Sequence, residues 1–327
     1  MHSDAAQSGE INAGLVSQLH IPVLLNEAID SLNIKPDGIY VDGTFGRGGH
    51  AKEILKRLNE EGLLVAIDKD PQAVLEGKKI EAKNFKIFHG TFKDVKAILS
   101  AIGIRHVDGI LLDLGVSSPQ IDNPLRGFSF SNDGPLDMRM DTKKGQTAEE
   151  WLNSAPQSEI VRVLKVYGEE RFAPRVAQFI IETRVTERLT TTNQLRRVVE
   201  RAIPRKFHIN TGRNPATKTF QAIRIHLNRE LDDLEGFLGQ ATSILLSGAR
   251  LVIISFHSLE DRIVKHFIAR ESKPNVPDRV PIREADLPKT PLRAMGKAVR
   301  PTVNEVDRNP RSRSAILRVA EGNGPRR

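Results

Sequence analysis

Strand-like and helix-like stretches alternate from residue 39 onward, a glycine-rich turn follows the first strand, and carboxylates end the successive strands. Together these predict an α/β fold with a doubly wound parallel sheet, because parallel neighbours need crossover connections and a helix usually supplies them. At 327 residues the chain exceeds the usual size of one domain. One large α/β domain carrying an insertion is therefore expected.

The elements follow in order. Ile39-Tyr-Val-Asp42 is a short apolar strand ending in a carboxylate. The turn Gly43-Thr-Phe-Gly46-Arg-Gly48-Gly49-His50 comes next, then a helix over 51–58 with Ile54, Leu55 and Leu58 on one face. A second strand at 63–67 runs into Asp68-Lys-Asp70, and Pro71 suits the first turn of the helix behind it. A third strand (85–88), a third helix (95–102) and a fourth strand (109–112) ending at Asp113 complete the first half. The pattern then breaks. Residues 121–147 are rich in Gly, Pro, Asp and Ser and read as a long loop over the site. Helices are expected at 157–167, 173–183 and 192–202, and a single long one at 217–240. A strand at 248–254 resumes the alternation, a proline-rich basic stretch covers 273–310, and 315–319 closes as a strand. The expected division is a flexible tail at 1–18, an α/β domain made of 19–120 and 218–327, and an inserted, mostly helical domain at 121–217 that recognises substrate.

Composition narrows the chemistry. There is no cysteine, which excludes disulfides, cysteine-held metals and any cysteine nucleophile, and suits a reducing, cytoplasmic setting. No run approaches the roughly 18 consecutive apolar residues of a membrane span, and the polar tail lacks the pattern of a secretion signal. The net charge is +8, unevenly spread. Residues 171–230 hold 13 Lys and Arg against 4 Asp and Glu, residues 291–327 hold 9 against 3, and the remainder is net acidic. Arginine dominates both segments, and its planar fork matches phosphate oxygens, so a polyanionic partner is expected.

Ligands of such sheets bind outside the carboxyl ends of the strands, where Asp42, Asp68 and Asp113 stand. The glycine turn lets the main chain approach a ligand closely, and the helix behind it directs N–H groups there. Asp68, about 20 residues beyond the turn, is placed to accept both ribose hydroxyls of an adenosine, and Phe92 to touch an adenine ring. Two features favour S-adenosylmethionine over a dinucleotide. Asp42 beside the turn would repel a pyrophosphate, and the turn departs from Gly-x-Gly-x-x-Gly. Asp113-Leu-Gly-Val-Ser-Ser-Pro-Gln120 then brings a carboxylate, a tight turn and two hydroxyls to the fourth strand's end. Methylation of an amine needs the acceptor aimed and its displaced proton accepted, which Asp113 and the turn at Ser117 can supply. Without cysteine, a pyrimidine ring carbon is closed as a target, while base nitrogens and ribose oxygen stay open.

Tyr40-Val-Asp-Gly-Thr-Phe-Gly-Arg-Gly-Gly-His50, Asp113-Leu-Gly-Val-Ser-Ser-Pro-Gln120, Arg126-Gly-Phe-Ser-Phe130, Gly134-Pro-Leu-Asp-Met-Arg-Met-Asp141, Tyr167-Gly-Glu-Glu-Arg171 and Ser255-Phe-His-Ser-Leu-Glu-Asp-Arg262 resemble the RsmH (MraW) family over residues 20–321. These are bacterial methyltransferases that modify cytidine N4 in the decoding region of small-subunit (16S) ribosomal RNA. The resemblance implies a Rossmann-like class I methyltransferase with an inserted helical domain. It also implies cofactor contacts at Gly48, Gly49, His50, Asp68, Phe92, Asp113 and Gln120.

Further candidates lie at the rim. Phe128 and Phe130 could stack on a flipped base or pack under the loop. Arg139, with Asp137 and Asp141, reads as pocket floor or ion-pair cluster. His257 follows the fifth strand at the same rim, and 212–218 looks like a phosphate-contacting loop. No His, Asp and Glu set shows ligand spacing, so no metal is expected. Three alternatives remain: a methyltransferase for protein or small molecules, an RNA-binding assembly factor with a vestigial site, and an NAD oxidoreductase. The oligomeric state is open, a homodimer being one option.

Overall fold

The computed structural model describes residues 22–209, 214–274, 283 and 287–326. The expected tail at 1–18 lies outside them, as do residues 212 and 213 of the expected phosphate loop. Among the described residues, no helix is long and apolar enough to cross a membrane.

Helix α1 (Leu25–Leu32) precedes the first strand and had no counterpart in the sequence reading. The alternation then runs as expected: β1 (Ile39–Asp42), α2 (Gly49–Arg57), β2 (Leu63–Asp68), α3 (Pro71–Gly77), β3 (Phe85–His89), α4 (Val95–Ala101) and β4 (Val107–Asp113). Pro71 opens α3, and the cap is Asp70, whose side chain accepts the Gln72 N–H at 2.9 Å. Capping before Pro71 is thus done by Asp70, and Asp68 faces the cleft beyond the sheet.

Seven strands form one sheet in the order β3-β2-β1-β4-β5-β7-β6, where β5 is Leu245–Ser255, β6 is Leu292–Val299 and β7 is Ile316–Asn323. Strands β1 to β5 pair in parallel, as expected. The far edge differs, because β7 runs antiparallel to both β5 and β6. Strand β6 lies inside the stretch read as proline-rich and basic. It is an edge strand, exposed over most of its length, and presents no apolar alternation to read.

Successive strand residues point to opposite faces of the sheet. Val41, Val65, Ile110, Leu112, Leu251 and Ile253 point to one core, closed by α4, α12 (Glu230–Ile244) and α13 (Ser258–Glu271). Tyr40, Leu64, Ala66, Leu111, Val252 and Ile254 point to the other, closed by α1 and α2. A sheet buried on both faces reads as continuous apolar runs, which is why its strands were visible.

Between β4 and β5 the chain forms α5 (Ser118–Asp122), then α6 (Ala148–Ser154), α7 (Gln157–Gly168), α8 (Ala173–Thr186), α9 (Thr192–Ala202), α10 (Lys206–Ile209) and α11 (Ala216–Asn228). The last helix before the sheet is α12, and α14 (Val303–Arg308) follows β6. Trp151, Leu164, Val176, Ile180, Val199 and Ile223 meet in a third apolar core, separate from the two beside the sheet. The single helix expected at 217–240 is broken. Arg229 takes a left-handed conformation (φ 52°), ending α11 and starting α12. Asn228, 4 % exposed, explains why the break is held. Its amide accepts the Met140 N–H and donates to Met138 O at 2.7 and 2.8 Å, tying the helix end to the long loop.

Candidate active site

A cleft of about 310 Å³ opens at the carboxyl ends of β1, β2 and β4. Its walls include the glycine turn, Asp68, Asp70, Phe92, the 113–118 turn and Gln120, with Arg224, Glu230, Phe256 and Glu260 on the opposite side.

The turn is built by position-specific glycine chemistry. Gly48 sits at φ 72° as the N-cap of α2, and a Cβ there would stand 2.7 Å from the Phe45 ring. A side chain is excluded twice, by backbone conformation and by space. A Cβ on Gly49 would collide with Pro22. The turn is closed by carboxylates. Asp42 accepts the Thr44 N–H at 3.1 Å, and Thr44 Oγ1 accepts the Asp113 N–H at 2.6 Å, so strands β1 and β4 are linked just below the cleft.

Asp68 is held from both sides. Its Oδ2 accepts the Gly46 N–H at 2.6 Å and its Oδ1 the Asp70 N–H at 2.7 Å. Burial pushes its carboxyl up to about 6, against those two amides. Burial also raises Asp42 to about 7, opposed by the Thr44 amide and reinforced by the charge of Asp68. Asp113 is pushed well above the ordinary carboxylate range by burial first, then by Asp42 and Glu260. Asp68 and Asp113 line the cleft with Asp42 buried behind them, and this crowding of carboxyls of raised proton affinity favours a cation.

Asp113 carries a further mark. Its Oδ1 is buried without a hydrogen-bond partner, while Oδ2 lies 3.7 Å from His50 Nδ1. His50 Nε2 is 3.2 Å from the Val23 carbonyl, an acceptor, which places the ring proton on Nε2. An unsatisfied acceptor in a cleft wall fits a donor brought by a ligand.

Gln120 and Phe92 close the ends. Gln120 is 5 % exposed; it accepts the Ser117 N–H at 3.0 Å and donates to Asp70 Oδ2 at 2.9 Å. The same Asp70 oxygen accepts from Arg126 at 2.7 Å, and the buried Arg126 also donates to the carbonyls of Arg139 and Met140 at 3.0 Å. Phe92 meets Phe237 edge-on, with centroids 6.0 Å apart.

The cleft wall thus gathers Gly49, His50, Asp68, Phe92, Asp113, Ser117 and Gln120 of the expected set, with Gly48 shaping the turn behind it. Phe128, Arg139 and His257 are not among the cleft-lining residues. Arg126 lies over the Phe128 ring at 5.8 Å. Phe130 packs on Phe220 in the helical core, centroids 4.9 Å apart. Arg139 forks onto Asp137 with two 2.8 Å bonds, and Asp141 lies 3.4 Å from His89. His257 caps α13.

Sequence reading missed the opposite wall. Arg224 forks onto Glu230 with two 2.9 Å bonds across the helix break. Glu260, 2 % exposed, accepts the Phe256 N–H at 2.8 Å. Burial pushes Glu260 up, yet His257 and Arg224 outweigh it and hold the carboxyl below its ordinary value. Asp113 and Glu260 are therefore driven apart: one tends to keep its proton, the other to lose it. The fold also brings donor atoms of Glu230, His257 and Glu260 within 4.8 Å of one another, a clustering that sequence spacing did not show. Arg224 already supplies the cation there, and His257 Nδ1 accepts the Glu260 N–H, which places a proton on the other ring nitrogen.

The sequence model of the MraW methylase family matches residues 17–323. The chain belongs to the MraW methylase family. Within that family it is similar to the ribosomal RNA small subunit methyltransferase H of Methylobacillus flagellatus, 52% identical, covering 97% of this chain and 98% of the relative. It is also similar to the protein of the same name from an Azoarcus species, 50% identical over 92% of this chain and 96% of the relative. Among solved structures it is similar to an rRNA methylase from Streptococcus thermophilus, 12% identical with a TM-score of 0.37, covering 93% of this chain and 98% of that one.

Proposed function

We propose that this chain transfers the methyl group of S-adenosylmethionine to the exocyclic N4 of a cytidine in small-subunit 16S ribosomal RNA, in the cytoplasm. The observation that carries the reading is the carboxylate wall at the strand ends, with its one buried, unpartnered oxygen on Asp113. Family membership and the names of the relatives support the RNA substrate.

The residues present fit the cofactor. When bound, S-adenosylmethionine supplies an electrophilic methyl on a cationic sulfur. Asp68, fixed by two amides, is suited to accept ribose hydroxyls, and Phe92 and Gln120 to flank the adenine. The turn at Gly48–Gly49 and His50 bring the main chain close to the amino-acid end. The same fit argues against a dinucleotide, since Asp68 and Asp113, with Asp42 behind them, would repel its pyrophosphate.

Asp113 orients the acceptor. Its Oδ1 would accept one N–H of the cytidine amine and hold the nitrogen in line with the methyl group, and the proton displaced from nitrogen would pass to solvent in the cleft. The 117–119 turn fixes the position of that carboxyl's strand end, and Glu260 stays ionised nearby to favour the transient positive charge on nitrogen. We read the helical residues 121–217 as the RNA-recognition part of the chain, and no step of this mechanism uses a metal.

The test is methyl transfer from labelled S-adenosylmethionine to small ribosomal subunits lacking the modification, followed by nucleoside analysis. N4-methylated cytidine is expected. Label in protein, or no transfer despite tight cofactor binding, refutes the reading.

A further inference from the structure

Two basic segments looked equivalent in the sequence, and the fold separates them. In 291–327, Arg293 pairs with Glu321, Arg311 with Asp122 and Arg318 with Asp261. Lys297, Arg300 and Arg313 of that segment stay exposed, and in the helical part Arg188, Arg196, Arg224 and Arg229 are paired as well. What sets the helical part apart is a group of cations laid on aromatic rings. Arg171, Arg175, Arg201 and Lys206 are exposed, and among the described residues none has a carboxylate partner.

These cations share one layer. Half-buried Phe172, Phe179 and Phe207 pack against the helical core and turn a ring face outward. Arg171 lies over Phe172 and Phe207 at 5.8 and 5.5 Å. Arg175 and Arg201, from α8 and α9, both lie over Phe179, at 5.6 and 5.9 Å. Lys206 lies over Phe207 at 5.2 Å. Phe172 and Phe207 are themselves 4.9 Å apart, so the two halves of the layer adjoin.

A guanidinium resting on an aromatic ring keeps its N–H donors around its edge while losing rotational freedom. Such a group is pre-organised for a planar or tetrahedral oxyanion. Arg197, one turn before Arg201 on α9, is also exposed, so like charges sit side by side. The face adjoins the cleft. Glu169, two residues before Arg171, accepts from Ser258 at 3.2 Å and from Arg262 at 3.1 Å, at the start of the helix whose Glu260 lines the site.

We propose that the Arg171–Arg175–Arg201–Lys206 face, levelled on three phenylalanines, holds the phosphate backbone of the RNA beside the base-modifying cleft. This rests on the RNA reading above and names the surface that carries it. Stacked arginines in a row suit a repeating polyanion better than a single anionic group.

The test compares three proteins on small ribosomal subunits that lack the modification: wild type, Arg171→Gln/Arg175→Gln/Arg201→Gln, and the equal-charge control Lys297→Gln/Arg300→Gln/Arg313→Gln. Folding is checked by S-adenosylhomocysteine affinity, which the face does not touch. The face variant is expected to bind subunits at least about 10-fold more weakly near 0.1 M salt, and its log K against log salt to flatten by about 2. Its KM for subunits rises while kcat at saturation stays. The control changes both far less. Equal loss in the control, or an unchanged salt slope in the face variant, overturns the proposal. If the glutamine variant does not fold, Arg171→Lys/Arg175→Lys/Arg201→Lys is read instead: a kept slope with several-fold weaker binding supports the face, and wild-type affinity overturns it. Wild-type protein that neither binds nor methylates subunits would instead sink the RNA reading itself, and this proposal with it.

Discussion

Replacing Asp42 with asparagine should stabilise the ligand-free protein in alkaline buffer. Asp42 is 1 % exposed and ionises near pH 7 in the folded chain. In the unfolded chain it ionises near pH 4. Folding therefore raises its proton affinity, and above pH 7 the folded state must hold a buried charge that the unfolded state solvates. The difference amounts to at most about 4 kcal/mol. Asparagine keeps the shape, and its Oδ1 can still accept the Thr44 N–H now made at 3.1 Å. The gain should be complete above pH 7, shrink as pH falls from 7 to 4, and vanish below 4, where aspartic acid is neutral in both states. Urea unfolding of both proteins at several pH values, without cofactor, measures it. A gain independent of pH, or a loss at pH 8, refutes the electrostatic account. The same substitution should weaken S-adenosylmethionine binding, since a strained carboxylate that favours a cation is a usual exchange of stability for function.

Three further outcomes follow from the same wall. S-adenosylmethionine affinity should rise roughly 10-fold or more between pH 5 and 8, because deprotonation near 6 at Asp68 and near 7 at Asp42 leaves charge that favours the sulfonium; calorimetry should show a shallower rise for the neutral thioether S-adenosylhomocysteine. Arg126→Met should lower stability by about 3–5 kcal/mol, since it leaves Asp70 as a buried carboxylate without its cation, and chemical denaturation would detect it. Gly48→Ala forces a side chain to φ 72° against the Phe45 ring, so cofactor affinity should drop at least 10-fold, with about 1–3 kcal/mol of stability lost; unchanged binding by the variant would disprove the role of that turn.

The alternation of strands and helices, and with it the placing of Asp42, Asp68 and Asp113, was legible because a sheet covered on both faces writes long apolar runs into the chain. A parallel βα repeat also delivers every strand's carboxyl end to one edge. Residues at those ends are neighbours by topology, so no distance had to be known. The glycine turn was legible for a similar reason: left-handed backbone needs glycine locally. Strand β6 was not legible, since an exposed edge of Arg, Ala, Gly and Lys has no buried face to pattern it. The rim candidates Phe128, Arg139 and His257 were reasonable by adjacency in sequence, but Phe128 and Arg139 are engaged by local partners, and His257 stands behind the wall against Glu260.

The second wall belongs to tertiary structure. Arg224, Glu230 and Glu260 come from three helices and meet only because α11 stops at Asn228, whose amide is claimed by Met138 and Met140 of a distant loop, and because Arg229 takes a left-handed turn that no glycine announces. Periodicity across 217–240 reports one helix, since helical spacing persists on both sides of the break. The two basic segments make the same point. Net charge is additive and can be counted along the chain, whereas the pairing of Arg293, Arg311 and Arg318 depends on carboxylates that folding brings from elsewhere. Composition thus determined that the protein would be locally basic, and only packing decided which arginines were left facing outward.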